Sequence, residues 1–472
     1  MQASAKEAPA WRKNMKKVML PKNVKYIIDK LVTHGFEAYA VGGCIRDSIL
    51  ERVPEDWDIT TSAKPEEMKA LFKRTIDTGL QHGTVTILQG GGSYEVTTYR
   101  IDGEYEDHRH PSEVTYTLSL IEDLKRRDFT INAMAYNETI GIVDYFGGME
   151  DIQKGVIRCV GEARQRFSED ALRILRAVRF SAQLGFEIEE QTWQAIEEVA
   201  GNLKDISAER IQVELVKLLL SNNPDYLRTA WEAGITKVVL PEFDKIMETE
   251  QNNPHHCYNV GEHTLEALKV TENNKVIRLA VLFHDIGKPE TKSTDIDDKT
   301  HFYQHAEVGQ KLTNKIMRRL KFDNDTRTKV VQLVKYHDRH PNVTAKGVRR
   351  LINHIGVDSY PLLLQVQRAD IMAQSNYKRA EKLQTLMQIS NIYEQILADK
   401  NCLMLKDLAI TGKDLLAEGV HQGKEVGQIL HQLLQAVLDD PSHNNKEYLI
   451  EYARELLYNN SQEGERRNQD EI

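Results

Sequence analysis

The sequence is poor in cysteine, with four in 472 residues. Cys44, Cys159, Cys257 and Cys402 stand far apart, and no two of them have the C-x-x-C spacing of a thiolate metal site. This spacing argues against a disulfide framework and against a zinc site built from thiolates. Isolated thiols fit a reducing compartment, so we expect a cytoplasmic protein.

Long apolar runs and an excess of positive charge are also missing. No apolar stretch approaches the roughly 20 residues that cross a bilayer, so we expect no membrane partner. The net charge is −9, which excludes a uniformly basic nucleic-acid coat but leaves room for a local basic patch. Hydrophobic residues make up 40% and charged residues 28%, which is ordinary for a chain that buries several globular cores.

Two kinds of secondary structure follow each other along the chain. The segments "EAYAVGG", "DWDITT" and "HGTVTILQGGGSYEVTTYRI" combine strand-like alternation with glycine turns, and "KPEEMKALFKR" has helical spacing after Pro65. After about residue 160, apolar residues recur every three or four positions, as in "SEDALRILRAVRFSAQLG". We therefore predict a small α/β head followed by a mainly α-helical body.

Two acids on a predicted strand form the first cluster with a chemical meaning. Asp56 and Asp58 lie two positions apart, so a strand directs both side chains to one face. Two carboxylates at such a short distance repel each other unless they share a cation, and Mg²⁺ prefers oxygen ligands. The glycine pair Gly42–Gly43, followed by Arg46, lets backbone N–H groups approach a phosphate. Together these residues predict metal-assisted phosphoryl or nucleotidyl transfer, with Glu95 as a third candidate carboxylate.

The segment "AVGGCIRDSILERVPEDWDITTSAKPEE" resembles the signature of class II tRNA nucleotidyltransferases and the related bacterial poly(A) polymerases. The resemblance continues downstream in the same order and covers most of the chain. It implies a nucleotidyltransferase head with a small mixed sheet, Mg²⁺ as the metal of the head, and CTP, ATP and a tRNA 3′ end as substrates.

A further motif, "RRDFTINAMAYN" (126–137), resembles the segment with which this family reads the ribose of the incoming nucleotide. A ribose 2′-OH both donates and accepts a hydrogen bond, so an aspartate beside arginines can test for it. The candidate residues are Arg126, Arg127, Asp128 and Asn132. Surface charges before a buried helix are the alternative interpretation.

The segment "SEDALR" predicts how a base is chosen without a nucleic-acid template. Glu169 and Arg173 are four residues apart, acid first, which on one helix favours an ion pair that holds the guanidinium still. Asp170 only accepts hydrogen bonds and Arg173 only donates them, so cytosine and adenine satisfy both, whereas uracil and guanine do not. The resembling family uses its EDxxR motif in this way. An ordinary stabilising helix pair is the alternative for the motif taken alone.

Three neighbouring segments extend this picture. Arg176 and Arg179 follow on the same predicted helix and are candidates for holding the triphosphate, with solvated arginines as the simpler alternative. The polar segment 100–116 resembles a flexible loop of enzymes that add the terminal A, which argues against an enzyme that adds only CC. In "AERIQVEL" the resemblance implies structural roles for Glu209 and Arg210.

Histidines and aspartates cluster in the predicted helical body. The segments "GEHTLEA", "LFHDIGKPE", "YQHAEVG", "KYHDRHP" and "RADIMAQ" resemble the ligand set of HD phosphohydrolases. Imidazole and carboxylate together suit a divalent metal of an identity that the sequence leaves open. The resemblance implies one metal held by His263, His284, Asp285 and Asp370, a second metal at His305 and His337, and a phosphate-orienting role for Lys288. A phosphodiesterase or phosphatase activity on RNA 3′ ends or nucleotides would follow.

Two segments are candidates for RNA contact. Between Lys311 and Arg350 we count twelve Lys and Arg against three Asp and Glu, a run that suits either phosphates or solvent. The segment 405–450 resembles the family's C-terminal tRNA-binding part. In it we expect helices broken by Gly412, Gly419, Gly423 and Gly427, with Lys413 and Lys424 as candidate phosphate contacts.

The predicted organisation has five parts. They are a nucleotidyltransferase head at 22–155, a helical neck with the EDxxR motif at 156–245, an HD phosphohydrolase-like domain at 246–380, a helical tRNA-binding tail at 381–458, and a disordered end at 459–472. The leading functional prediction is addition of C, C and A to tRNA 3′ ends, with a second hydrolytic activity. Addition of A alone, poly(A) synthesis, and an RNA-binding HD phosphohydrolase are the alternatives. No protein partner is evident, and a homo-oligomer remains open.

Overall fold

A computed structural model describes residues 18–103, 114–252 and 254–470. The chain divides into two compact units, one ending at Pro241 and the other beginning at Glu242. This division falls near the boundary predicted at 245–246, and the finer domain boundaries stay predictions. No described helix combines the length and the apolar character that a membrane crossing requires.

The first unit is built on a mixed sheet of seven strands. Its strands and those of two small sheets are β1 (Ala38–Val41), β2 (Asp58–Thr61), β3 (Thr75–Gly79), β4 (Thr84–Gln89), β5 (Gly92–Thr98), β6 (Arg100–Asp102), β7 (Val114–Tyr116), β8 (Met134–Asn137), β9 (Gly141–Asp144), β10 (Val156–Ile157) and β11 (Glu187–Ile188). The large sheet has the order β3-β4-β5-β2-β1-β8-β9, β6 pairs with β7, and β10 pairs with β11. Within the large sheet β2 and β5 are parallel, and every other neighbouring pair is antiparallel.

The predicted strands and turns of the head are confirmed. Strand β1 is buried along its whole length, and the residue that follows it, Gly42, has a φ of 85°, which suits glycine. Gly90 and Gly91 also have positive φ, and they form the predicted turn between β4 and β5. The loop predicted at 100–116 has its middle, residues 104–113, outside the described residues, and β6 and β7 pair on either side of it.

Helices cover the sheet and continue into the predicted neck. They are α1 (Lys22–Thr33), α2 (Gly43–Ile49), α3 (Pro65–Leu71), α4 (Leu120–Lys125), α5 (Gly148–Lys154), α6 (Ala163–Glu169), α7 (Leu172–Leu184), α8 (Glu190–Val199), α9 (Ala208–Leu219), α10 (Leu227–Glu232) and α11 (Thr236–Val239). Helix α7 ends at Gly185 in the left-handed conformation, as the sequence predicts. The single helix expected through "SEDALR" is wrong, because α6 ends at Glu169 and Asp170 adopts extended backbone angles before α7 begins.

The second unit is helical apart from one short hairpin. Its elements are α12 (Pro241–Met247), α13 (Val260–Lys269), α14 (Lys275–Phe283), α15 (Lys288–Thr291), β12 (Lys292–Thr294), β13 (Thr300–Phe302), α16 (His305–Arg319), α17 (Asn324–Tyr336), α18 (Ala345–Ile355), α19 (Tyr360–Ala373), α20 (Arg379–Ala398), α21 (Gly412–Ala417), α22 (Lys424–Asp439) and α23 (Lys446–Asp470). The fold class is therefore confirmed: a mixed α/β head is followed by a long helical region.

Two expectations for the C-terminal part are corrected. Gly427 lies inside α22 and does not break it, because a helix interior tolerates a single glycine at a cost of about 1 kcal/mol. Helix α23 continues through Asp470, where we expected a disordered end from residue 459. Polarity alone is a weak argument for disorder, since Glu, Gln and Arg are good helix formers.

Candidate active site and metal site

The two predicted metal-binding acids lie at the entry to β2. Asp58 is the first residue of the strand, and Asp56 belongs to the preceding loop, so the expectation that both lie on a strand is only half right. Asp58 is exposed, yet the protein around its carboxyl raises the pKa of that group by desolvation. The Arg127 guanidinium lowers this pKa, and the Asp56 carboxylate raises it again. A bound cation would relieve the repulsion between the two acids.

Glu95 stays a prediction as a third metal ligand. The parallel register pairs Ile59 with Val96, which places Glu95 beside Asp58 in the neighbouring strand. Among the described residues, however, Glu95 does not join Asp56 and Asp58 in a group of three ligand atoms close enough to share one ion.

The glycine pair lies against one of the predicted ribose-reading arginines. A Cβ on Gly42 would come within 3.1 Å of an Arg127 guanidinium nitrogen, and the φ of this residue is +85°. Arg46, one turn into α2, is buried and donates from one terminal nitrogen to the Asn132 side-chain oxygen over 2.7 Å. Its Nε donates to the Asp47 carboxylate over 2.9 Å. Arg46 and Asn132 therefore join the glycine turn to the segment that follows Asp128.

Asp128 is the centre of a buried hydrogen-bond network. One carboxylate oxygen accepts from the Phe129 backbone N–H over 2.8 Å and from the Asn132 side chain over 3.2 Å. The other accepts from Arg176, with donor distances of 2.6 and 2.8 Å. Burial alone would raise the pKa of the Asp128 carboxyl, but the Arg176 guanidinium outweighs it and holds that pKa well below its ordinary value. Asp128 is therefore an ionised acceptor fixed in place.

Asp123 is a residue that the sequence analysis missed. It is fully buried and accepts hydrogen bonds from Arg126 over 2.8 and 3.0 Å and from the Thr60 hydroxyl over 3.0 Å. Arg127 lies 3.6 Å from its other oxygen. Asp123 therefore anchors both predicted arginines to strand β2. The sequence signal for these ion pairs was spacing, because Asp123 precedes the two arginines by three and four residues on a helix.

The predicted ion pair of the EDxxR motif forms, although its residues lie on two helices. The Arg173 guanidinium donates to Glu169 over 2.7 Å and to the backbone carbonyl of Arg166 over 3.0 Å. Its other terminal nitrogen donates to the carbonyl of Arg126 over 2.9 Å. These bonds hold the guanidinium beside the ribose-reading segment.

Arg210 belongs to this site, where the sequence analysis gave it a structural role. It donates to both oxygens of the Asp170 carboxylate, over 2.8 and 3.2 Å. The two residues are 40 positions apart, on the α6–α7 junction and on α9. Arg179, on α7, donates to the buried Glu214 of α9 over 2.7 Å. Its guanidinium lies on the Phe180 ring.

A cavity of about 240 Å³ brings these groups together. It is lined by Arg126, Arg127, Asp128, Asp170, Leu172, Arg173, Arg176 and Arg210. Arg127 lines this cavity and also contacts the glycine turn and acts on the Asp58 carboxyl. Arg127 is therefore the residue that lies near Asp58 and also lines the cavity of Asp170 and Arg173, whereas Asp56 and Asp58 do not line that cavity themselves. Arg179 and Glu209 do not line it, so a triphosphate-binding role for Arg179 has no support in this geometry.

In the second unit, the predicted HD residues converge from five elements. His263 lies in α13, His284 and Asp285 follow α14, His305 begins α16, His337 follows α17, and Asp370 lies in α19. The Nδ1 atoms of His284, His305 and His337 each lie 2.7–2.9 Å from the backbone carbonyl three residues earlier. A carbonyl only accepts, so Nδ1 carries the proton and Nε2 presents its lone pair to the centre of the cluster.

The Nε2 atoms approach each other in two pairs. His263 and His284 are 3.3 Å apart at Nε2, and His305 and His337 are 3.2 Å apart. Two lone pairs at this distance repel unless a cation lies between them. Two nitrogens about 2.05 Å from one tetrahedral ion are themselves roughly 3.3 Å apart, so the spacing fits a shared metal.

Asp285 connects the two histidine pairs. One carboxylate oxygen lies 3.2 Å from His284 and 3.8 Å from His263, and the other lies 3.6 Å from His305 and 3.7 Å from His337. Both groups of three have ligand atoms close enough to hold an ion. Asp370 joins the first pair at 2.9 Å from His263. The donor set therefore fits the two-metal arrangement that the sequence predicts.

The charges of this cluster favour a cation. Burial would raise the pKa of Asp285, but His284 and Lys288 outweigh it and keep the carboxyl ionised. Burial would lower the pKa of His284, but Asp285 and Asp370 raise it, so the cluster attracts a proton to Nε2. The same field attracts a metal ion to that position. Lys288 is buried and lies 2.7 Å from Asp285, while it donates to Gln251 over 2.8 Å.

A cavity of about 330 Å³ opens onto the cluster. Asp285, His305, His337, Asp370 and Lys288 all reach its wall. His256 also lines it and packs edge-on against His263, with ring centroids 5.1 Å apart. Burial lowers the pKa of His256 to about 3, so this ring is neutral. The sequence analysis missed His256, and the only signal was the histidine pair just before α13.

The basic run between Lys311 and Arg350 is partly neutralised. Arg319 pairs with Glu242, Lys329 with Asp325, and both Lys346 and Arg350 with Asp439. The tail lysines Lys413 and Lys424 are exposed near the starts of α21 and α22, and Lys413 lines a cavity of about 510 Å³.

Comparison with known protein families matches three segments of the chain. Residues 38–158 match the poly(A) polymerase head domain, 185–247 the RNA and SrmB-binding site of polymerase A, and 293–453 tRNA nucleotidyltransferase domain 2. The chain is 37% identical to the CCA-adding enzyme of Lactiplantibacillus plantarum, over 91% of this chain and 95% of that one. It is 35% identical to the CCA-adding enzyme of Enterococcus faecalis, over 93% and 98% of the two chains.

A solved structure agrees with the fold. The CCA-adding enzyme of Bacillus stearothermophilus in complex with CTP superposes with a TM-score of 0.71 at 29% identity, over 94% of this chain and 100% of that one. The head carries paired acids and a cavity lined by Asp170 and Arg173. The relatives match the chain over nearly their whole length, so the family of the chain can be assigned. The chain belongs to the CCA-adding enzyme family, which is built on the poly(A) polymerase head domain.

Proposed function

We propose that this protein adds C, C and A to the 3′ ends of tRNA, using CTP and ATP. The observation that carries the proposal is the position of Arg127, which lines the cavity of Asp170 and Arg173 and also acts on the Asp58 carboxyl. The relatives named above are CCA-adding enzymes, and one of them was solved in complex with CTP. The matched segment 293–453 supports tRNA as the acceptor.

Asp56 and Asp58 would hold Mg²⁺ in the head. Bound there, the ion would supply a Lewis acid for the attacking 3′-hydroxyl and for the leaving pyrophosphate. Asp128 is a fixed, ionised acceptor in the cavity wall, suited to the ribose 2′-OH of the incoming nucleotide. Arg126, Arg127 and Arg176 give the same wall a positive charge that suits a triphosphate.

Base selection follows from the polarity of two side chains. Asp170 offers an acceptor and Arg173 a donor at the same cavity, and cytosine and adenine each carry an amino group beside a ring nitrogen. Uracil and guanine place a carbonyl against the Asp170 carboxylate, so that two acceptors face each other and repel. Such a mismatch excludes the wrong base by several powers of ten.

Arg173 provides a direct test of this selection. We expect Arg173→Ala to reduce the preference for C and A over U and G by at least about tenfold, because the base loses its fixed donor. The measurement is incorporation of each of the four nucleotides into tRNA that lacks CCA. Arg164→Ala, at an exposed arginine paired with Glu198, is the control. Unchanged C and A selectivity in Arg173→Ala would contradict protein-templated choice.

Arg210 gives a second prediction, because the structure places it on the Asp170 carboxylate. We expect Arg210→Ala to raise the KM for both CTP and ATP by roughly ten- to a hundredfold, since a charge-assisted bond that holds Asp170 is worth about 1.5–3 kcal/mol. The KM for tRNA should not change. Lys217→Ala, further along α9, is the control. Equal nucleotide KM values in the variant and the parent would leave Arg210 without a positioning role.

Addition of A alone and poly(A) synthesis are the nearest alternatives. The discriminating experiment supplies tRNAs that lack CCA, CA or A, with CTP and ATP given separately. Incorporation of C into the tRNA that lacks CCA supports full addition. Incorporation of A alone, whatever the acceptor, would contradict it and favour an A-adding enzyme.

We also propose a metal-dependent phosphohydrolase activity in an HD domain of the second unit. The support is the pair of Nε2 spacings of 3.2 and 3.3 Å with Asp285 between the two pairs. His263, His284, Asp285 and Asp370 would hold one divalent metal, and His305 and His337 with Asp285 a second. Bound there, the metals would supply Lewis-acid activation of water and of a phosphate. Lys288 would neutralise and orient that phosphate from the cavity wall.

An HD phosphohydrolase whose head only binds RNA is the alternative of another class. The assembled head argues against it, because Asp128, Arg173 and Arg176 are fixed by specific hydrogen bonds around a cavity.

For the C-terminal region we propose tRNA binding at 381–458 with phosphate contacts from Lys413 and Lys424. Both lysines are exposed at helix starts, where backbone N–H groups favour anions.

A further inference from the structure

A hairpin forms one wall of the cavity above the histidine cluster. Strands β12 and β13 are antiparallel, with Ser293 opposite His301, and β13 is followed by Tyr303, Gln304 and then His305, the first residue of α16. His301, Phe302 and Tyr303 line the cavity together with Asp285 and His337. Side chains of the hairpin can therefore contact a ligand bound in this cavity.

Two aromatic rings on this hairpin are stacked. The His301 and Tyr303 rings lie 5.4 Å apart at their centroids, with their planes within 7° of parallel. His301 is held in turn by Asp295, whose carboxylate lies 2.8 Å from its Nε2. Asp295 itself accepts from the backbone N–H groups of Asp297 and Lys299, so the support of the stack is fixed to the hairpin turn.

Tyr303 is open to solvent although it lies at the cavity. It keeps 71% of its surface exposed, while the neighbouring Phe302 turns the other way and packs against Lys288 over 5.2 Å. Side chains alternate along this segment, so Phe302 lies toward the histidine cluster and the His301–Tyr303 stack lies at the rim of the cavity. Because Tyr303 is two residues from His305, their Cα atoms are at most about 7 Å apart.

We propose that the His301–Tyr303 stack is a nucleobase platform, so that the second site takes nucleotides or RNA 3′ ends rather than phosphate esters that lack a base. This inference rests on the proposed phosphohydrolase function. Proteins bind single-stranded nucleic acid by stacking bases on open aromatic rings, and every base has a π face, so the platform accepts any base. Lys288 and the histidine cluster lie within the same cavity to receive the phosphate.

The test compares two secondary phosphate monoesters, one that carries a nucleoside and one that carries neither base nor ribose. The intact protein, loaded with Mn²⁺, Co²⁺, Ni²⁺ or Mg²⁺, is assayed for phosphate release from adenosine 3′-monophosphate and from glycerol 2-phosphate. We expect Tyr303→Ala to raise the KM for the nucleotide by roughly 5- to 100-fold with little change in kcat, because only stacking is lost. Hydrolysis of glycerol 2-phosphate should not change, and Tyr303→Phe should behave as the parent.

A second readout needs no metal and no turnover. Stacking quenches the fluorescence of 2-aminopurine, so the 3′-monophosphate of 2-aminopurine riboside is titrated into the protein in EDTA. We expect the parent and Tyr303→Phe to quench it and Tyr303→Ala to lose that part of the quenching. Tyr458→Ala, at a tyrosine of similar exposure on α23, is the matched control and should behave as the parent.

The outcomes separate this inference from the function on which it rests. If the parent hydrolyses the nucleotide and Tyr303→Ala does so with the same KM, the platform is wrong and the phosphohydrolase stands. Equal efficiency on the two phosphate monoesters in the parent would lead to the same conclusion. If the parent hydrolyses neither compound with any of the four metals, the phosphohydrolase proposal fails and this inference fails with it.

Discussion

Replacing Asp58 by asparagine is expected to lower nucleotide addition by roughly a thousandfold. The substitution keeps the shape of the side chain and removes the charge that would bind the cation at the entry to β2. Asp56→Asn should have an effect of the same order, because both carboxylates are needed to neutralise one divalent ion. The measurement is incorporation of labelled CMP and AMP into tRNA that lacks CCA, over a range of Mg²⁺ concentrations.

The control for this experiment is Asp77→Asn, which removes an exposed acid of β3 that pairs with Lys69. It should retain the parent's rate of addition. Circular dichroism melting of each variant checks that the head stays folded. Addition by Asp58→Asn at more than about a tenth of the parent's rate would contradict the assignment of this acid as a metal ligand.

The second large effect concerns hydrolysis. We expect His284→Ala–Asp285→Ala to lower phosphate release from adenosine 3′-monophosphate by at least about a hundredfold and to leave nucleotide addition intact. The reason is that Asp285 lies between both histidine pairs, so its loss removes a ligand from each candidate metal. Metal content measured after dialysis should fall in parallel, which is a readout independent of turnover.

Because His284 and Asp285 are buried, a more conservative variant is tested beside the double variant. Asp285→Asn keeps the volume of the side chain, although it leaves the buried Lys288 without its counter-charge and should lower the melting temperature. His354→Ala, at an exposed histidine of α18, is the control. Absence of metal-dependent hydrolysis in the parent protein would defeat the phosphohydrolase proposal. Loss of addition in the double variant would instead show that the two activities are not separable.

The features that the sequence predicted correctly depend on short spacings. The strand and glycine turn at "AYAVGG", the turn at Gly90 and Gly91, and the end of α7 at Gly185 follow from backbone preferences of a few consecutive residues. The six candidate HD residues stay a prediction as metal ligands, and they were singled out because five short segments resemble those of HD phosphohydrolases. The structure brings all six of them to one cluster.

What the sequence did not predict includes a local break between two helices and contacts that span a long stretch of chain. The Glu169–Arg173 pair was predicted from helical spacing and forms, but through a break between α6 and α7 that the spacing concealed. Arg210 reaches Asp170 across 40 residues, and Arg46 reaches Asn132 across 86. No local pattern predicts which of several arginines meets which acid, since that depends on how the helices pack.

The sequence by itself determined the order of the parts, the family and the kinds of residue at each site, because motifs and periodicity are properties of neighbouring positions. The tertiary structure decided which charges are paired and which line a cavity. It placed Arg179 on Glu214 and Arg176 on Asp128, although both arginines lie on one helix three residues apart. It also stacked His301 on Tyr303 at the rim of the second cavity, a contact fixed by a turn and a hairpin rather than by any motif.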